Sequence, residues 1–275
     1  MRATVFLGGG RITGALAAGV RLSERRLGKD EREIVVYDRH PEKLRALRKE
    51  SRVEIARDLT SAVERAEMLI VAVRPGSVKE LLAEVVACGA LPGDAGAARL
   101  CVSLAAGVPL RNLRKWLGPP ARWVRAMPSP LSRMGRGLTP LCYDAGVAKS
   151  DRARVRTMFE LVGPVLELPE GQMDAITATY SPTHGYHALA SLAKAAQDVG
   201  LNRKAAMTAA AHALSDAILY WRERAESLED LLHEAATPGG IAAATMKAMD
   251  KAGYARAVAK GISVGVEQAR RNAKR

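Results

Sequence analysis

Through the first 168 residues of this 275-residue chain, short apolar runs alternate with segments of helical spacing; beyond that point the runs stop. The runs are Ala3 to Leu7, Glu33 to Tyr37, Met68 to Val73, Leu100 to Leu104, Trp123 to Ala126, Gly137 to Cys142 and Val165 to Leu168. Helical periodicity fills Arg11 to Leu22, Pro41 to Glu50, Thr60 to Ala66, Val78 to Cys88, Leu110 to Leu117 and Asp151 to Leu161. Thr60 or Ser61 is the expected cap of its helix. Such alternation predicts a mostly parallel sheet covered on both faces, because parallel neighbours need a crossover between them. After Pro169-Glu170-Gly171 the chain is Ala-rich and helical throughout. The expected boundaries are therefore 1–168 for the α/β domain and 169–275 for an all-helical one.

Three consecutive glycines, Gly8-Gly9-Gly10, follow the first run and precede the first helix. Glycine weakens regular structure, so a run of three needs a reason. Between a strand and a helix the lack of Cβ atoms lets the backbone turn sharply and lets a pyrophosphate approach. The helix then presents free N–H groups and its positive end to that phosphate. Against the G-x-G-x-x-G/A pattern, Gly8 and Gly10 fill the first two places, Thr13 the third, and Gly14 comes one residue late. The first domain is thus predicted to be a Rossmann-type dinucleotide-binding domain with a doubly wound, mostly parallel sheet.

The second strand ends Tyr37-Asp38-Arg39-His40. Asp38 suits the ribose hydroxyls of NAD, whereas Arg39 and His40 suit the 2′-phosphate of NADP. Asp38 lies 28 residues after Gly10, beyond the usual spacing of about 20. The excess is the polar insert Arg21 to Arg32, read as a surface extension. Ala72-Val73-Arg74-Pro75 leaves the third strand at the ligand edge of the sheet, and Ser103-Leu104-Ala105-Ala106-Gly107 leaves the fourth. The small Ala105 there leaves room for a nicotinamide ring.

Net charge is +13, with 29 lysines and arginines against 17 acids up to Leu166 and 13 against 12 afterwards. That imbalance fits either an anionic partner or a solvated arginine-rich surface. Basic residues alternate with acids from Leu27 to Arg57 and no nucleic-acid motif accompanies them, so no nucleic-acid partner is expected. Cys88, Cys101 and Cys142 form no CxxC pair, which argues against a zinc site or disulfide framework and for a reducing, cytoplasmic setting. His187 and His212 have no cysteine or carboxylate ligand set around them, and no metal is expected. No apolar run approaches the roughly 18 residues of a membrane span. Thr4 to Leu7 runs straight into the glycines, which is unlike a signal peptide.

Taken in order, GGG at Gly8, AVRP at Ala72, SLAAGV at Ser103, RAMPSP at Arg125, MDAITA at Met173 and TPGG at Thr237 resemble the pyrroline-5-carboxylate reductase family along nearly the whole chain. The resemblance implies reduction of a cyclic imine to proline by hydride transfer from NADPH or NADH, and a homodimer built through the C-terminal helices. It places Gly8, Gly10, Arg11, Ile12, Ala72, Val73, Arg74 and Pro75 in coenzyme-contacting stretches. It also implies departures. Where the family has M-P-N-T-P, this chain has Met127-Pro128-Ser129-Pro130-Leu131. Its substrate-carboxylate stretch, T-A-x-S-G-S-G-P-A-Y, reads Thr177-Ala178-Thr179-Tyr180-Ser181-Pro182-Thr183-His184-Gly185-Tyr186. S-P-G-G-T-T reads Thr237-Pro238-Gly239-Gly240-Ile241-Ala242, without the threonines.

Imine reduction gains from protonation at nitrogen, and His184, Tyr186 and Tyr180 are the candidate donors. His184 equally suits a helix start, and Tyr186 suits a buried helix, as its family counterpart does. Ser129, Ser181, Thr183, Gly239 and Gly240 are the candidate substrate-binding residues; Ser181 and Thr183 alternatively cap a helix from Gly185 to Val199. Two other readings stand beside the imine reductase. One is an oxidoreductase of another small imine or carbonyl compound, with a nicotinamide or deazaflavin coenzyme. The other is a non-catalytic dinucleotide-binding paralogue.

Overall fold

Successive residues of a strand point to opposite faces of its sheet, and in this chain both faces are apolar. Val5 and Leu7 enter one core with Val35, Leu69, Val71, Cys101 and Trp123. Phe6, between them, enters the other with Val36, Ile70, Val102 and Val124. The computed structural model describes residues 3–91 and 99–273, apart from the side chains at positions 41 and 43. Its first part runs β1 (Ala3–Leu7), α1 (Arg11–Leu27), β2 (Ile34–Tyr37), α2 (Pro41–Ser51), β3 (Glu54–Ile55), α3 (Leu59–Arg65), β4 (Ala66–Val71), α4 (Val78–Ala87), β5 (Arg99–Ser103), α5 (Leu110–Trp116), β6 (Ala121–Ala126), β7 (Thr139–Tyr143), α6 (Lys149–Glu160) and β8 (Val165–Glu167).

The strand order is β3-β2-β1-β4-β5-β6-β7-β8. From β1 the chain steps outward to β2 and β3, then returns to place β4 on the other side of β1. That reversal opens a crevice at the carboxyl ends of β1 and β4, where ligands bind in sheets of this kind. β1 to β6 are parallel, whereas β7 runs antiparallel to β6. Only the 3₁₀ turn Pro130–Met134 separates β6 from β7, so no crossover helix carries the chain back. The fold class is therefore as expected, with β3 as an additional edge strand.

Two local expectations are corrected. Asp58, rather than Thr60 or Ser61, caps α3: its carboxylate accepts from the Ser61 N–H at 2.8 Å, while Ser61 Oγ accepts from Asp58 N at 3.3 Å. Those bonds, with the nearby Arg57, hold the Asp58 carboxyl down to about 2. The insert Arg21 to Arg32 is also more than a surface extension. α1 continues to Leu27, and Arg21 and Glu24 are buried. Arg21 Nη1 meets Glu24 Oε2 at 2.7 Å, its Nε donates to Ser51 O at 3.1 Å, and Glu24 Oε1 accepts from Arg32 N at 2.8 Å. The insert is thereby tied to the end of α2.

The remaining helices are α7 (Met173–Thr179), α8 (Pro182–Asp198), α9 (Arg203–Glu223), α10 (Leu228–Ala235), α11 (Ile241–Lys251) and α12 (Tyr254–Asn272). The chain divides into two compact units, one of residues up to Ala178 together with those from Gly265 onward, the other Thr179–Val264. Met173 of α7 is buried in the core under the sheet. Arg125 of β6, itself buried, reaches Glu170 at 3.4 Å and Asp174 at 3.5 Å. The end of α12 packs on the loop after β5, so closely that a Cβ on Gly107 would lie 2.1 Å from Ala269 O. In the second unit only Ala193, Ala206 and Ala210 are buried apolar residues among those described.

Candidate functional site

A cavity of about 930 Å³ opens at the crevice between β1 and β4, within the size range of small-molecule and cofactor sites. Its floor is Gly8-Gly9-Gly10 and the first turn of α1, with Arg11, Ile12 and Gly14. One wall is the end of β2, Tyr37 to His40; another is the exit of β4, Ala72, Val73 and Arg74.

The glycines divide the work. Gly8 has φ +117°, and a Cβ there would lie 2.6 Å from Ala72 O. It is needed because the ends of β1 and β4 approach so closely. Thr13 Oγ1 donates to Gly8 O at 2.6 Å and fixes the turn from the helix side. At Gly10 a Cβ would meet nothing within 4 Å, so that volume belongs to the cavity. Gly10 is also the N-cap of α1, without a side-chain cap, and the first turn carries no acid. The N–H groups at this end are therefore left for an anion. These features fit the diphosphate of a dinucleotide.

Asp38 lines the cavity, but its carboxylate is engaged with backbone: Oδ2 accepts from Gly9 N at 2.6 Å and Oδ1 from His40 N at 2.9 Å. It secures the glycine loop to the end of β2. Arg39 is held by α4, Nη1 to Glu80 Oε1 at 3.4 Å and Nη2 to Glu84 Oε1 at 2.8 Å. The hydrogen bond to Glu80 and the charge of Glu84 raise its pKa.

Two residues expected at the coenzyme, Pro75 and Ala105, do not line this cavity, and the substrate candidate Ser129 is also elsewhere. Pro75 starts a 3₁₀ turn outside it, and Ser77 at the end of that turn lines it instead. Ala105 is buried in the core, because the end of α12 lies over the loop that follows it. Ser129 is buried and caps the turn Pro130–Met134, accepting from Leu131 N at 3.3 Å. Sequence reasoning missed Leu81, Leu47, Glu50 and Arg133, which also line the cavity. Arg133 faces Glu50 at 3.7 Å. No motif marks these positions; only the packing of α1, α2 and α4 gathers them.

Residues 4–107 match the family described as NADP oxidoreductase, coenzyme F420-dependent, and residues 170–272 match pyrroline-5-carboxylate reductase dimerisation. The pyrroline-5-carboxylate reductase of Mycobacterium leprae is 30% identical over 272 residues, covering 92% of this chain and 90% of that protein. The chain belongs to the pyrroline-5-carboxylate reductase family. The Escherichia coli member is 26% identical over 274 residues, 98% of this chain and 97% of that one. Among solved structures, the Coxiella burnetii pyrroline-5-carboxylate reductase superposes with TM-score 0.83 at 25% identity, over 100% of this chain and 99% of that one. The Plasmodium falciparum pyrroline carboxylate reductase with NADP bound gives TM-score 0.85 at 19% identity, over 99% and 98%, a likeness of fold.

The family's substrate stretch lies at the α7–α8 junction of this chain. Pro182 is the first residue of α8, and Ser181 caps it by accepting from Thr183 N at 3.3 Å. α8 thus begins three residues before the Gly185 start expected from sequence. Two donors of this helix end are unavailable to a ligand, one absent in proline and one bonded to Ser181. His184 is exposed in the first turn and Tyr180 is half-buried. Tyr186 is 66% exposed within the chain rather than packed. α11 is the more open helix start: Gly240 is its N-cap without a side-chain cap, no acid follows, and Gly239 sits at φ +79°.

Proposed function

We propose that this chain reduces 1-pyrroline-5-carboxylate to L-proline with a reduced nicotinamide nucleotide, NADPH or NADH. The observation that carries the coenzyme half is the uncapped start of α1 at Gly10, opening into the cavity. Family membership across both halves of the chain carries the substrate half.

Gly8, Gly10, Arg11 and Ile12 would hold the diphosphate, with Asp38 and Arg39 at the adenosine end and Ala72, Val73 and Arg74 along the β4 exit. When bound, the reduced nicotinamide supplies the hydride. The chain's own contribution is to orient the imine, exclude water and deliver a proton to the ring nitrogen. His184 is assigned that proton, with Tyr180 and Tyr186 as the neighbouring phenols. The open start of α11 at Gly239-Gly240 suits the substrate carboxylate. Ser181 and Thr183 complete that half by fixing the start of α8. We assign residues 1–168 to coenzyme binding and residues 169–275, which contain the dimerisation match at 170–272, to the dimer. The three free cysteines fit a reducing compartment such as the cytoplasm.

One observation favours a second reading. Pro182 and the Ser181 cap remove donors where the family's stretch has small, open residues, which suits a different small imine or carbonyl compound. Loss of NADPH or NADH absorbance with pyrroline-5-carboxylate tests both. Turnover supports the first reading. Tight nucleotide binding without turnover removes it and leaves the second.

A further inference from the structure

NADH and NADPH differ only at the adenosine ribose, where a 2′-hydroxyl is replaced by a 2′-phosphate. In this fold that position lies beyond the end of β2. Arg39 is a basic residue there, and both terminal nitrogens of its guanidinium are already engaged, by Glu80 at 3.4 Å and Glu84 at 2.8 Å. The two glutamates stand one turn apart on α4, and Leu81 beside them lines the cavity. Asp38 adds a third carboxylate, turned to the Gly9 and His40 amides.

Among the described side chains at this corner the carboxylates outnumber the guanidinium. A ribose hydroxyl donates to such a neighbourhood, whereas a phosphate dianion is repelled unless Arg39 is released to it. Among the described residues the other basic side chains do not compensate, and Arg133 faces Glu50 at 3.7 Å. Arg11 at the start of α1 and Arg74 at the β4 exit flank the glycine loop, the place of the diphosphate that both nucleotides share. The His40 imidazole lies 3.6 Å from Glu42.

We propose that Glu80 and Glu84 are specificity-determining residues: by holding Arg39 they make this chain prefer NADH to NADPH. The inference rests on the cavity being a nicotinamide-nucleotide site. The pairs are solvent-exposed and individually weak, so substitution releases Arg39 without threatening the fold.

Calorimetric titration of the full chain with NADH and with NADPH tests this. The unaltered protein is expected to bind NADH more tightly. E80Q/E84Q is expected to move the ratio of dissociation constants towards NADPH by about tenfold, as one released charge-assisted contact implies. Adding R39A should cancel that gain. E84Q alone, which removes the closer carboxylate, should move the ratio the same way and serves if the double variant melts early. Tighter NADPH binding by the unaltered protein, or an unmoved ratio in folded E84Q, overturns the proposal. A gain that survives R39A overturns the part assigned to Arg39. No heat with either nucleotide overturns the coenzyme reading itself.

Discussion

Asp38 Oδ2 accepts a hydrogen bond from Gly9 N at 2.6 Å, joining the end of β2 to the glycine loop 29 residues earlier. Its other oxygen takes the His40 amide. An acid at this position is ordinarily assigned to the ribose hydroxyls, which would make it matter for NADH alone. Here it also shapes the loop that both nucleotides need. D38A should therefore raise the dissociation constant of NADPH as well as that of NADH, the latter by about tenfold or more, since a bond to a charged group contributes about 1.5–3 kcal/mol. Calorimetry with both nucleotides decides it; a loss confined to NADH would return Asp38 to a ribose role only.

Gly8 and Gly10 should respond in opposite ways. At Gly8 a side chain meets both a positive φ and the Ala72 carbonyl at 2.6 Å. G8A is expected to cost at least about 2 kcal/mol of stability in a denaturant titration. At Gly10 the added methyl enters open space. G10A should stay within about 1 kcal/mol of the unaltered protein yet bind nucleotide at least tenfold more weakly. Equal melting of G8A and the unaltered protein would contradict the close approach of β1 and β4.

The α3 cap makes a pH prediction. The Asp58 carboxyl sits at about 2 in the folded chain against an ordinary 3.8, because it accepts from Ser61 N–H and Oγ–H and lies beside Arg57. A depressed value means that protonation is resisted by the folded state. Its stabilisation is fully present above about pH 4 and is lost as pH falls through about 2. Asparagine caps without titrating. The melting advantage of the unaltered protein over D58N should therefore shrink steadily below pH 4. A difference that stays constant down to pH 2 would show that Asp58 is not held by the cap.

How much of this was legible in advance varied with the physics. The glycine run, the strand–helix alternation and the loss of strands after Leu168 are local patterns, and they yielded the sheet, the cavity floor and the helical C-terminal half. Ala105 and Pro75 lie away from the cavity for reasons no motif shows: Ala269, distant in sequence, covers the loop after Ala105, and the 3₁₀ turn begun by Pro75 brings Ser77 to the cavity. The Asp58 cap was missed because its signature, an acid three residues before serine, was read one turn late. The grip of Glu80 and Glu84 on Arg39 spans 41 and 45 residues and carries no motif.

His184 stands exposed in the first turn of α8, while the cap itself is Ser181. The two roles separate by measurement. H184Q should lower kcat with pyrroline-5-carboxylate by about 10²-fold, the usual worth of a positioned proton donor, with melting little changed. S181A should instead cost about 1 kcal/mol of stability as a lost cap. A drop in melting for H184Q without a drop in kcat would make it a structural residue.

The second unit cannot cover its own apolar surface. Ile218, Leu219 and Trp221 on α9 are 53%, 55% and 46% exposed, and Ile241 on α11 is 89% exposed. Single exposed apolar residues are ordinary, but this concentration marks an interaction surface, and residues 170–272 match the pyrroline-5-carboxylate reductase dimerisation family. The prediction is a homodimer that removes these side chains from water, with about 25 cal/mol for each Å² of apolar area buried as its driving force. In sedimentation the chain should run at twice its 29.4 kDa mass. L219E, which places a charge on the exposed apolar part of α9, should run as a monomer. The nucleotide-cavity residues all lie in the first unit, so L219E should still bind NADH. A monomeric unaltered protein, or a dimer undisturbed by both L219E and W221E, would move the interface away from α9.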